Sequence, residues 1–522
     1  MKNFFGFLLL LMATLSCTER LAPDDGPGKS VDGAGHGMIV LGERLEDPYK
    51  LENMSKALQS LYPTKADRLP LEATDLYVRF LPKTEEEFGQ LEEMGLFLMD
   101  HPVDYRIVEE GDYYHDPEIA EGEITWQYAV VDKDFSFPEH IRHEIIDRCY
   151  IYDNDKSTKS DNVDWAEVER EAFRLTGNGD MLLPVTKNGE KASPAGRITI
   201  EDPASGGGKF GVSGVKVSCN CFVRFGNAYT DEDGYYKINR TFSSNPRYRI
   251  VFKNKSGFGI GFNLLLCPAS FSTLGKHSPA GVDVHIDASS ERKLFTRAVV
   301  NNAAYDYYRK CQTEDASISK PAGNLRIWLF HSLKWSAALM LQQGALIDGS
   351  LVSDFLGEYS FLVKMFLPDV VVGLREAEDY EEIYTRTVHE LAHASHFMQA
   401  GKDYWNKYVK YAVTSFVSSG FVTYGVGTGD GSGNCEVAEM WAYYMQTSLH
   451  NERYPDRPAM YGGGFWFSPQ IFMYLDERGL SRYRIFGALS ADIESKDRLK
   501  KKLVSLYPQF KSSVNIAFSR YN

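Results

Sequence analysis

Basic charge is in short supply in this chain. Its 57 lysines and arginines face 71 aspartates and glutamates, a formal net charge of −14 over 522 residues. Nucleic-acid affinity comes from a basic surface that releases counterions, so a nucleic-acid partner is excluded. Long apolar runs are missing too: after Ala13 no stretch is long enough to span a bilayer as a helix. Cysteine is sparse and scattered, seven in all, which rules out a zinc-finger spacing and a dense disulfide scaffold. Histidine is sparse as well, at 12, so two histidines at a metal-ligand spacing carry information. Apolar mass is plentiful. With 43% hydrophobic and 13% aromatic residues the chain can fill sizeable cores, and its length suits about three domains.

Met1-Lys2-Asn3 is a positive start, Phe4 to Ala13 is an apolar run of signal-peptide length, and Thr14-Leu15-Ser16-Cys17 follows. A signal peptide over residues 1–16 is expected. Residues 17–37 are a polar, Gly/Pro/Asp-rich flexible tether. In this setting Cys17 resembles the lipobox cysteine of bacterial lipoproteins, although Thr14 stands where that pattern prefers an aliphatic residue. The resemblance implies lipidation at Cys17 and a membrane partner reached through that anchor, on the periplasmic or cell-surface face of a bacterial outer membrane. The alternative is an ordinary cleaved signal with an unlipidated product, and both export the chain. In an exported chain the other six cysteines, Cys149, Cys219, Cys221, Cys267, Cys311 and Cys435, leave room for disulfides. Cys219 and Cys221 lie two apart on one expected strand and so share a face, where buried free thiols are at least an equal alternative to a bridge.

Three textures follow the tether, and the expected fold is multidomain α+β. Residues 38–190 alternate short strands and helices: Thr74 to Leu81 reads as a strand, Lys83 to Met94 as an acidic amphipathic helix and Asp104 to Val108 as another strand. This N-terminal α/β domain shows no ligand or nucleophile spacing. Its aromatic stretches, such as Trp126-Gln127-Tyr128, read as core or interface. Residues 191–290 change to short alternating strands broken by turn signals, the texture of a central β-sandwich. There Gly214-Val215-Lys216-Val217, followed by Thr230-Asp231-Glu232-Asp233-Gly234-Tyr235, resembles the carboxypeptidase regulatory-like, transthyretin-like domains. The resemblance implies a spacer beside an enzyme, with Asp231 and Asp233 forming the turn rather than binding calcium.

Residues 291–522 carry the chemistry. Asn324 to Phe330 reads as the start of a sheet with the helix from Phe295 to Lys310 against it, and Asp369 to Leu374 as a buried strand. Tyr380 to Met398 has helical periodicity through Ile383, Val388, Leu391, Ala392, Ala394 and Phe397. Inside that helix lies His389-Glu390-Leu391-Ala392-His393. Imidazoles four residues apart stand on one helix face and can take neighbouring corners of a tetrahedral zinc site, while Glu390 beside them can take a proton from an attacking water. With 12 histidines in 522 residues a chance match is expected on the order of a few per cent of the time. The alternative is a helix whose histidines merely cap or pack.

A zinc site of this kind needs a third protein ligand. A metzincin would place Gly at 396 and His at 399, where this chain has His396 and Gln399. A carboxylate from a later helix remains, and Asn434 to Tyr444 offers two, Glu436 and Glu439, three residues apart. Glu439-Met440-Trp441-Ala442 resembles the Glu-x-x-Ala ligand helix of the gluzincins, particularly the lethal-factor-like ones, and lies 46 residues beyond His393 as suits that group. The resemblance implies a C-terminal zincin-like α+β metallopeptidase domain with Glu439 as third ligand. Glu436 is the alternative ligand or a second-shell brace for a histidine. The same resemblance implies a tyrosine before the ligand glutamate that steadies the developing oxyanion, and Tyr424 holds a comparable but more distant place, separated by a Gly-rich insertion. His396, a further turn along, reads as second-shell or substrate-facing. Phe465-Trp466-Phe467 fits a cleft lining or a core equally, and the lysines of 496–502 read as a solvated face.

The expectation is a zinc metallopeptidase acting on peptides or proteins, with Zn2+ on His389, His393 and Glu439 and Glu390 as general base. The runner-up is an anchored lipoprotein that binds glycans or peptides through an intact but catalytically idle zincin-like domain. A purely structural zinc would need a fourth protein ligand, for which only Glu436 offers itself. No feature of the chain sets an oligomeric state.

Overall fold

The structure is a computed structural model that describes residues 37–66, 70–120, 123–154, 163–184, 193–261, 269–313, 318–331, 334–345, 367–418 and 424–521. The signal segment, Cys17, the tether up to residue 36 and Cys267 lie outside the described residues. The fold is mixed α+β with several sheets. Among the described residues no helix is long and apolar enough to cross a membrane.

Strands β1 (Val40–Arg44), β2 (Asp75–Leu81), β3 (Tyr105–Glu109), β4 (Gln127–Asp132) and β5 (Arg142–Cys149) form two small antiparallel sheets, β1-β3 and β4-β2-β5. The strand and helix expected between residues 74 and 94 appear as β2 and Glu85–Glu93, whose N-terminus is held by the Thr84 hydroxyl accepting from the Glu87 amide. Strand β2 is central and reads almost wholly buried, so its alternation is weak; edge strand β5 is exposed or half-buried along most of its length. Helices Leu51–Leu61 and Trp165–Leu175 pack together around Met54, Ala57, Val168 and Ala172.

The middle of the chain forms two four-stranded sheets. One has the order β10 (Tyr235–Lys237), β6 (Ala195–Asp202), β14 (Val284–Ile286), with β7 (Gly208–Gly211) also on β6. The other has the order β13 (Phe271–Lys276), β11 (Arg247–Val251), β8 (Lys216–Cys221), β9 (Arg224–Tyr229). Ile198, Ile200, Val217, Cys219, Tyr248 and Ile250 are buried in one shared core. Asp231 forms the expected turn, its Oδ1 accepting from the amides of Asp233 at 3.0 Å and Tyr235 at 2.8 Å. Cys149, Cys219, Cys221 and Cys435 are buried free thiols, and Cys311 is buried as well.

The last sheet crosses the boundary expected at residue 290. Strand β12 (Gly259–Gly261) pairs in parallel with β15 (Arg326–Phe330), which continues to β17 (Val370–Gly373) and the antiparallel edge strand β16 (Ala337–Ala338). All four residues of β17 are buried, as a strand covered on both faces requires. Helices Arg292–Thr313 and Tyr380–Ser418 pack beside this sheet, Ser432–Arg453 packs on Tyr380–Ser418, and the core that holds them is continuous with that of the middle sheets.

Candidate metal centre

The 380–418 helix begins where Asp379 caps it. The Asp379 carboxylate accepts from the Glu382 amide at 2.8 Å, and Glu382 reaches back to the Glu378 amide at 2.9 Å. One face of this helix carries His389 and His393, 6% and 1% exposed. The 432–453 helix packs closely on it, because Ala392 is small enough to admit Trp441, whose Nε1 donates to the Ala392 carbonyl at 3.2 Å. That contact brings the fully buried Glu439 to both imidazoles.

The resulting geometry suits a cation. Nε2 of His393 lies 3.1 Å from Nε2 of His389; Glu439 Oε2 lies 3.4 Å from the His389 nitrogen and Oε1 3.4 Å from the His393 nitrogen. A tetrahedral ion with bonds of about 2.0–2.1 Å sets its ligands roughly 3.3–3.4 Å apart. The three donors therefore stand at the mutual spacing such an ion imposes. Neither Glu439 Oε2 nor His393 Nδ1 has a hydrogen-bond partner, an arrangement that buried polar groups otherwise avoid. Among the described residues His389, His393 and Glu439 form a buried group that could hold a metal ion.

The electrostatics point the same way. Burial alone would raise the Glu439 carboxyl, yet the facing imidazoles of His393 and His389 hold it well below the usual carboxylate range. Burial would lower His389, but the facing carboxylate of Glu439 and the charge of Glu390 raise it; His393 stays lowered by burial. Glu390 is 4% exposed, its Oε2 has no partner, and burial pushes its carboxyl up to about 8. The backbone of Ala338 on edge strand β16 donates to that carboxylate, which ties the glutamate to the sheet.

Two residues of the site escaped the sequence reading. Gln446, seven residues beyond Glu439 and on the same helix face, places its Oε1 3.0 Å from His389 Nδ1 and so orients that ring. Tyr408 donates its hydroxyl to Glu439 Oε1 at 2.8 Å and lies 3.5 Å from His393 Nε2. It stands on the far side of a break at Gly401, whose φ of 81° and ψ of 175° interrupt the long helix. Only the fold returns it to the histidines.

Three residues that the sequence offered for the site stand outside the donor group. Glu436 does not meet the histidines: one turn before Glu439, it faces Lys496, with Nζ at 3.1 Å and the Lys496 amide at 3.4 Å. His396 is fully buried with neither ring nitrogen partnered, packed on Tyr404 and Trp405 and driven down to about 3 by burial, so it faces no substrate. Tyr424 places its hydroxyl 3.1 Å from that of Tyr443 and not on any of the three donors; the tyrosine that touches them is Tyr408. Tyr443 itself lies edge to face with His389, ring centroids 4.5 Å apart. Of the aromatic triplet, Phe467 is core at 1% exposure and Phe465 is open at 40%.

No family model matches this chain, and no curated protein or solved structure matches it significantly.

Proposed function

We propose that this chain is a metal-dependent hydrolase of the gluzincin type, with zinc as the ion and a peptide bond as the favoured target. In this reading residues 291–522 form a zincin-like domain, residues 191–290 a spacer sandwich, and residues 38–190 an α/β domain of unassigned role. The observation that carries it is the buried convergence of His389, His393 and Glu439 beside Glu390, whose Oε2 has no partner. Zinc held there would supply Lewis acidity, acidifying an attacking water and polarising a scissile carbonyl.

The chain's own residues do the rest. His389 is fixed by Gln446, and Glu439 by Tyr408, so the donors are oriented before any ion arrives. Glu390 lies beside the donors without belonging to them, with a carboxylate oxygen free to take a proton from water and return it to a leaving amine. Burial favours its neutral form, and a divalent cation beside it stabilises the carboxylate that a base must be. The N-terminal features add export and a lipid anchor at Cys17 to this reading, with an exposed peptide or protein as substrate.

A second reading, an anchored glycan- or peptide-binding protein with an idle site, is favoured by the near-complete burial of all four residues at 0–6% exposure. Metal content and chelation separate the two. One zinc per chain and a chelator-sensitive cleavage of an unfolded generic protein are expected. Metal without cleavage, together with ligand binding that survives chelation, would move the assignment to the binding module.

A further inference from the structure

We infer that Tyr408 is a fourth protein donor to the metal centre, closing it in the resting protein. The inference rests on the metal site proposed above and deepens it into a statement about regulation. Its basis is a comparison of distances. The three histidine and glutamate donors stand 3.1–3.4 Å apart, and the Tyr408 oxygen stands 2.8 Å from one of them and 3.5 Å from another. A second-shell hydrogen bond accounts for the first distance only. The phenol oxygen is buried within 3.5 Å of two of the three donors, and it is the group that adds a fourth corner to two imidazoles and a carboxylate.

The surroundings keep it there. Tyr408 is 7% exposed, its ring lies 5.4 Å from that of His393 and 4.7 Å from that of Trp405, and Trp405 is itself pinned by its Nε1 donating to the Ala338 carbonyl at 2.8 Å. The Ala338 backbone also donates to Glu390. One residue of edge strand β16 thus positions both the expected base and, through Trp405, the tyrosine.

Ligation breaks the Tyr408 O–H bond, forms an oxygen–metal bond, and releases the proton to solvent, as ligand deprotonation on metal binding requires. No oxidant or co-reactant is involved. Four protein donors leave no corner open, so a water or substrate carbonyl reaches the ion only when the phenol leaves. The resting protein is then latent.

Copper(II) is the probe, because a coordinated tyrosinate gives a visible charge-transfer band that a hydrogen-bonded phenol does not. The full-length protein, stripped of metal and loaded with one equivalent of copper(II), is expected to show that band. Tyr408→Phe should bind copper without it, and Tyr443→Phe, which alters a neighbouring tyrosine, should retain it. Affinity alone does not decide, since loss of a second-shell hydrogen bond also weakens binding by about 10–100-fold. A wild-type copper site without the band overturns the ligand assignment and leaves the three-donor site standing. Copper binding that survives His389→Ala with His393→Ala overturns both. A band beside a complete lack of hydrolysis by the zinc form keeps Tyr408 as ligand and removes the hydrolase reading.

Discussion

Two buried polar clusters in this protein are built on opposite plans. In the junction between the N-terminal and middle segments, Glu169 accepts from the hydroxyls of Tyr49 and Ser243, and Arg224 binds Asp153 at 2.5 Å and the Tyr152 hydroxyl at 3.2 Å. Donors meet acceptors there, and opposite charges face each other. At the metal centre, two imidazole nitrogens face each other and a carboxylate, with Glu390 Oε2, Glu439 Oε2 and His393 Nδ1 lacking hydrogen-bond partners. The first arrangement nearly satisfies itself and holds segments together: Arg224 Nη1 alone of these groups lacks a hydrogen bond, and it faces the Glu169 carboxylate at 3.8 Å. The second places lone pairs against lone pairs, an arrangement that costs free energy until a proton or a cation is shared among them, and so one that could hold a metal ion. Burial does not separate the two clusters; complementarity does.

The contrast breaks most completely if the metal centre turns out to need no Glu439. Glu439→Ala is expected to leave purified protein essentially without zinc, whereas Glu436→Ala, which loses only its contact with Lys496, keeps full stoichiometry. Equal dialysis followed by metal analysis compares them, and a zinc-loaded Glu439→Ala would reverse the site. Glu390→Gln comes next. It should retain zinc and lose about 10²–10⁴ in kcat/KM, because the amide cannot take the proton. Parent-level turnover in that variant ends the general-base role.

The junction cluster predicts a different failure. Glu169→Ala removes the acceptor for Tyr49 and Ser243 and takes a negative charge from beside the fully buried Arg224, 3.8 Å away. Loss of about 3 kcal/mol of folding stability is expected, with zinc stoichiometry unchanged. Denaturant unfolding measures the first and metal analysis the second. If zinc falls in step with stability, the two clusters are not separable in the way their chemistry suggests.

How much of this could be seen in advance depends on how local each feature is. The helix bearing His389 and His393 follows from apolar spacing and an Asp379 start, and β17 from three consecutive valines, all short-range signals. Glu439 was reachable by spacing, but the choice over Glu436 depended on helix phase relative to a partner, which the pattern alone left open. Tyr408 was out of reach: a break at Gly401 and the packing of two helices bring it back across 15 residues to His393. Gln446 is an ordinary polar residue until the ring it orients is placed beside it. Strand β12, Gly-Ile-Gly, carries almost no strand propensity and exists because β15 supplies its hydrogen bonds. What depended on long-range pairing was not written in any local window.

The smallest expected effect lies in the N-terminal segment and tests whether an unpartnered buried group must signal a ligand. Asp47 is fully buried; its Oδ1 accepts from the Tyr49 amide at 2.8 Å, while Oδ2 has no partner. Burial raises its carboxyl to about 8, with the nearby charges of Asp104 and Asp147 adding to the shift. Among the described residues Asp47 belongs to no group of three converging metal donors, so the neutral acid, not a cation, is the reason it is tolerated. Its folded value is raised above that of the unfolded chain, about 4. The stability it contributes is therefore complete below about pH 4 and is lost as pH rises through about 8. Asp47→Asn keeps the acceptor for Tyr49 and removes the titration. Urea midpoints at pH 5 and pH 8.5 should fall for the parent and fall less for the variant, and comparing the two chains cancels other groups such as Asp369, which burial also raises, to about 6. Equal pH slopes in the two proteins would mean that Asp47 is charged in the folded state and has a partner after all, which would place it with the metal centre rather than with the junction.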